Sequence, residues 1–89
     1  MGDKNGRATD RQGNLTDPSS NVFSLSQSSL VAGVRGYAVN KGGADTAFPL
    51  NRCSQLYLQD GVIYGKQIKG GWFQYNGTAW VPSVPKRDF

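Results

Sequence analysis

Three kinds of residue in this chain could do chemistry. They are one thiol, Cys53; six carboxylates, all aspartate; and the rings of "GGWFQYNGTAWVP", Gly70 to Pro82, which sets four of the ten aromatic residues around a single Asn-Gly pair. A thiol becomes a nucleophile beside a base that takes its proton, and the chain contains no histidine. One cysteine without histidine cannot build a zinc site or an internal disulfide either. Cys53 therefore reads as a small buried apolar residue, or else as the source of an intermolecular disulfide or a reactive thiol. Two carboxylates flanking a glycosidic bond could hydrolyse it, but here the aspartates sit in settings such as "TDP" and "QDG", which read as turn formers. "KGGAD" and "KGGW" lack the strand, loop and helix of a phosphate-binding loop. No enzymatic activity, cofactor or metal is expected, which leaves the rings. On a surface they would stack on a sugar or seat in a partner; inside a small sheet they would be core.

The elements that position those rings are strands. "SQLYLQDGVIYGK" is two apolar runs joined by Asp60-Gly61, and "WFQYNGTAWV" is two more joined by Asn76-Gly77, both favoured two-residue hairpin turns. Two-residue loops set Leu58 opposite Ile63 and Tyr57 opposite Tyr64. They also set Phe73 opposite Trp80 and Trp72 opposite Val81. Leu56, Leu58 and Ile63 then share one face, with Tyr57, Val62 and Tyr64 on the other. Trp72 and Tyr75 fall on opposite faces, so at least one is a candidate for outward contact. Upstream, "NVFSLS" alternates Phe23 and Leu25 with serines at a period of two. "SLVAGV" and "GYAVN" read as further strands separated by Arg35-Gly36, and Pro49 argues against a central strand in "AFPLNRC". The expected fold is all-β, a small antiparallel sheet or sandwich ending in two consecutive hairpins and preceded by an extended N-terminal arm. Its expected core is Phe23, Leu25, Leu58, Ile63, Phe73 and Trp80.

Eighty-nine residues make one domain with a small core. Residues 1 to 21 carry only Met1, Ala8 and Leu15 as apolar residues, too few to offset their own ordering entropy. They are expected to form a polar arm that gains order on a neighbouring subunit. The β domain then spans 22 to 85 and a tail 86 to 89. Within the arm, "TDRQGNL" and "TDPSSNV" echo one another, which reads as repeated turn chemistry. The ten lysines and arginines give a net charge of +4, yet they are scattered singly, which points away from a nucleic-acid groove. An acidic protein surface remains compatible with that balance. "MGDKNGRATD" has no basic region followed by an apolar one, so no secretory signal is expected. No apolar run approaches membrane-spanning length, and no membrane partner is expected.

"GNLTDPSSNVFSLS", "YAVNKGGADT" and "SQLYLQDGVIYGKQIKGGWFQYNGTAWVP", in that order, resemble a small β module. It occurs in phage virion proteins and in bacterial secreted polysaccharide-acting proteins. Thr16, Asp17 and Asn21 match its opening, Val39 and Asn40 its middle, and Tyr64, Gly71, Trp72, Asn76, Gly77, Thr78 and Trp80 its close. The chain departs from it at Ser20, where the module carries glycine, and at Phe23, Phe73 and Tyr75, where other aromatic residues stand. The resemblance implies a non-catalytic module attached to a larger assembly, either contacting glycans or decorating virions.

The expected function is therefore a structural accessory protein of a phage particle, such as a capsid decoration or head-tail protein, present in many copies. It would be located in the virion and made in the host bacterial cytoplasm. Its partners would be other virion subunits, bound through Arg7, Arg11, Leu15, Trp72 and Tyr75, with Cys53 able to lock the contact as a disulfide. The alternative is a carbohydrate-binding module or host-surface adhesin that offers exposed aromatics to a glycan.

Overall fold

A computed structural model describes residues 4 to 31, 33 to 49 and 52 to 86. The described residues form nine strands in one open antiparallel sheet: β1 (Gly6–Ala8), β2 (Asn14–Thr16), β3 (Val22–Val31), β4 (Val34–Lys41), β5 (Ala44–Asp45), β6 (Cys53–Gln59), β7 (Val62–Gln67), β8 (Trp72–Tyr75) and β9 (Trp80–Pro82). The main path runs β2-β3-β4-β6-β7-β8-β9, with β5 paired to β4 and β1 to β6. The all-β fold and its two closing hairpins stand as expected.

The Asp60-Gly61 hairpin has the expected two-residue loop, with Gln59 opposite Val62, Leu58 opposite Ile63 and Tyr57 opposite Tyr64. Asp60 and Gly61 both take positive φ, 53° and 80°, which matches the twist of the flanking strands. The second hairpin differs. Tyr75 faces Trp80, Gln74 faces Val81 and Phe73 faces Pro82, so the loop is four residues long and the expected Phe73–Trp80 pair is not formed. The Asn76 side chain is the cause. Its Oδ1 accepts from the Thr78 and Ala79 amides at 2.9 Å each, while its own N–H donates to the Ala79 carbonyl. The register has slipped by two residues, which keeps every ring on its expected face.

"SLVAGV" is not one strand. Val31 pairs with Val34 across a hairpin turn containing Gly33 at φ 81°, and Arg35-Gly36 lies inside β4.

The sheet also runs across the division expected at Asn21. Among the described residues β4 pairs with β6 only at Tyr37 and Cys53. Beyond that point the same edge of β6 is taken by β1, with Gly6, Arg7 and Ala8 opposite Leu58, Tyr57 and Leu56. The β6–β7 turn continues this contact, as the Gly61 N–H donates to the Lys4 carbonyl at 3.0 Å and the Asp60 N–H to Asn5 Oδ1 at 3.3 Å. β2 covers the outer edge of β3, Leu15 opposite Phe23. The N-terminal segment is extended, but it lies on its own chain. Buried backbone groups must find partners, and the edge of β6 left by β4 supplies them for β1.

Curling of the sheet places Ala8, Leu15, Phe23, Leu25, Val39, Leu56, Leu58 and Ile63 in one core, with Trp80 at its margin and Phe73 packed against it. Phe48, from the segment between β5 and β6, plugs the concave face. It stands edge-on to Trp80 at 4.9 Å and to Phe73 at 5.7 Å, and lies so close over Gly65 that a Cβ there would overlap its Cε2.

Candidate functional site

Three turns meet at one end of the sheet. In the β2–β3 turn, Asp17 Oδ1 accepts from the Ser19 and Asn21 amides at 3.0 and 2.9 Å, and its Oδ2 accepts from Asn21 Nδ2. That network holds Ser20 at φ 67°, a left-handed conformation suited to glycine, the residue the resembled module carries there. Pro18 of this turn packs on Gly61 of the β6–β7 turn, where a Cβ would come within 3.2 Å of Pro18 Cγ. The β8–β9 turn, closed by Asn76, forms the third wall.

Between the turns lies an open cleft of about 360 Å³. Its apolar lining is Tyr75 with Phe23, Val62 and Ile63, and its polar lining includes Asp17, Asn21, Lys41, Gln74 and Asn76. The Tyr75 ring is half-buried, held edge-on by Phe23 at 5.7 Å and packed at a tilt on Trp80 at 5.1 Å. The Lys41 ammonium stands 5.7 Å from its centre. The cleft thus offers one immobilised ring ringed by amides, a carboxylate and an ammonium, the composition of a site for a neutral or weakly charged polar ligand.

The five residues expected to bind a partner are not brought together. Tyr75 lies in the cleft. Trp72 is on the opposite face, half-buried edge-on to Tyr57 at 4.7 Å and with Lys66 Nζ 5.6 Å from its ring. Arg7 is exposed on β1, and Arg11 lines a separate cavity beyond β2. Leu15 is a correction: at 8% exposure it belongs to the chain's own core, because pairing of β2 with β3 turns it inward beside Phe23.

Cys53 is a second correction. Its side chain is fully buried and its Sγ donates to the Gln55 carbonyl at 3.1 Å, so no neighbouring chain reaches it for a disulfide. Desolvation pushes the thiol up from its ordinary 9.0 to about 12, against backbone hydrogen bonds at Gln55 and Lys66 that lower it. An unfolded chain releases this proton near 9.0 and the folded chain holds it. Burial of the neutral thiol therefore contributes stability that is whole below pH 9.0 and lost as pH rises toward 12. The folded protein is expected to resist a chromogenic thiol reagent at pH 8 and to react fully in denaturant. Rapid labelling of the native chain would place Cys53 at the surface.

Sequence reasoning missed Lys41 and Gln74, which no periodicity marks, and Phe48, an isolated apolar residue before Pro49. Among the described residues no group of three or more His, Cys, Asp or Glu could hold a metal ion, and no helix is long and apolar enough to cross a membrane. Neither protein-family models, nor curated proteins, nor solved structures match this chain.

Proposed function

We propose that this chain is a non-catalytic binding module of a phage particle, and that its end-on cleft receives a glycan. The observation that carries the glycan reading is the half-buried Tyr75 ring, fixed by Phe23 and Trp80 and flanked by Asn21, Gln74, Asn76 and Lys41. A sugar presents an apolar C–H face to a ring and hydroxyls to amides and charges, and both kinds of group line this cleft. The virion setting is supported by the resemblance of its motifs to a module of phage virion proteins.

The docking role of a capsid decoration or head-tail protein is a second reading, favoured by the exposed Leu30 and Val34 near the end of the β3–β4 hairpin, 62% and 46% open. In this reading the contact to other virion subunits comes from that hairpin.

Trp80 touches Tyr75, so intrinsic tryptophan emission reports on the cleft. Titration against a panel of bacterial surface polysaccharides is expected to give a saturable emission change with at least one member. Tyr75→Ala should weaken it by about fivefold to a hundredfold, as loss of a stacking ring of ~1 to 3 kcal/mol implies. Silence across the panel, with binding to particles retained, would overturn the glycan reading in favour of protein docking.

A further inference from the structure

A second cavity, of about 430 Å³, lies between the β1–β2 turn and the root of the β3–β4 hairpin. It is lined by Asp10, Arg11, Gln12, Ser28, Arg35 and Tyr37, and it shares no residue with the glycan cleft. The register of β3 against β4 shifts between Leu25 and Ser28. Two residues of β3, Ser26 and Gln27, there oppose one of β4, Ala38. This bulge sets Ser28 opposite Tyr37, and Ser28 Oγ accepts from Arg35 Nη1 at 2.8 Å. A guanidinium has five N–H donors, so that single bond aims Arg35 and leaves most of its donors unused.

Among the described residues neither Arg11 nor Arg35 has a carboxylate partner. Asp10 shares the cavity, but its Oδ1 is turned into its own loop, accepting from the Gln12 and Gly13 amides at 2.9 and 3.2 Å. The Tyr37 hydroxyl makes no hydrogen bond among the described residues. The lining therefore carries two guanidiniums without carboxylate partners and a free phenol donor against one carboxylate, whose Oδ1 is engaged by backbone amides. Guanidiniums recognise planar or tetrahedral oxyanions through paired, charge-assisted hydrogen bonds.

We propose that this cavity is an oxyanion-binding site in which Arg11 and Arg35 hold a phosphate or a carboxylate group.

The test follows the arginine Nε–Hε signals and the Gln12 amide of the full ¹⁵N-labelled chain by NMR. Inorganic phosphate or acetate is added in separate arms at constant ionic strength, with chloride as the control. Saturable shifts at Arg11, Arg35 and Gln12 are expected in at least one arm. Saturation by phosphate assigns a phosphoryl ligand, and saturation by acetate alone assigns a carboxylate. Arg35→Gln, an exposed change that leaves the core intact, should weaken binding by about tenfold or more, while Arg52→Gln, outside the cavity, should not. Shifts that follow chloride in both arms, or unchanged binding in Arg35→Gln, would overturn the proposal.

Discussion

A chain lacking residues 1 to 21 is expected to lose its cooperative fold, with the far-ultraviolet dichroism of a disordered polypeptide at 25 °C. Three losses combine. Removing β1 exposes the edge of β6 at Leu56 to Leu58, where backbone donors and acceptors were paired and largely dry. Removing Ala8 and Leu15 opens the core beside Leu56 and Phe23; a buried leucine alone is worth about 2 to 5 kcal/mol. Removing the β2–β3 turn with Pro18 and the Asp17 network uncovers Gly61 of the β6–β7 turn. Small domains hold only about 5 to 15 kcal/mol in total, so the sum consumes most or all of the stability. A truncated chain that still melts cooperatively near the full-length temperature would show that β1 and β2 are accessory to the sheet.

Trp80→Ala is expected to cost roughly 3 to 5 kcal/mol, read as a lower urea midpoint. Trp80 is 9% exposed, stands edge-on to Phe48 and leans on Tyr75, so truncation leaves a cavity bordered by two rings that β8 and Gly65 hold in place. Its indole Nε1 also donates to Thr46 Oγ1 at 2.9 Å, and that hydroxyl in turn donates to the Val39 carbonyl at 2.7 Å, which ties β9 across the concave face to β4. Trp80→Phe keeps most of the volume and loses the hydrogen bond, so it should fall between wild type and Trp80→Ala. Equal stability of Trp80→Ala and wild type would mean that Phe48 and Tyr75 close the gap without it.

The two hairpins show how far local chemistry reads through. Asp60-Gly61 was legible because both residues of its turn adopt positive φ, a demand met within four residues of chain. Asn76-Gly77 looks the same in sequence, yet the Asn76 carbonyl captures two later amides and lengthens the loop. Which competitor wins depends on Trp80 reaching Phe48 and Thr46, residues more than thirty positions away. The placement of the N-terminal segment has a related reason. Its composition is that of an arm, and nothing within it announces that β4 leaves half an edge of β6 open.

The candidate sites divide in the same way. Tyr75 and Trp72 were separated onto two faces by alternation alone, and the structure keeps them there. The cleft around Tyr75 needs Asp17 and Asn76 from two turns and Lys41 from the end of β4, and the cavity around Arg35 needs a bulge in β3 and the β1–β2 turn. By itself the sequence determined the all-β class, the Asp60-Gly61 register, the sidedness of the rings and Asp10, Asp17 and Asp60 as turn formers. Each of these follows from backbone geometry over a few consecutive residues. Only the tertiary structure decided that Leu15 and Ala8 are core, that Phe48 plugs the sheet, that Cys53 is sealed and that the clefts exist. Those outcomes depend on which edges and faces remain unsatisfied once distant strands have paired, a long-range competition that short stretches of sequence do not record.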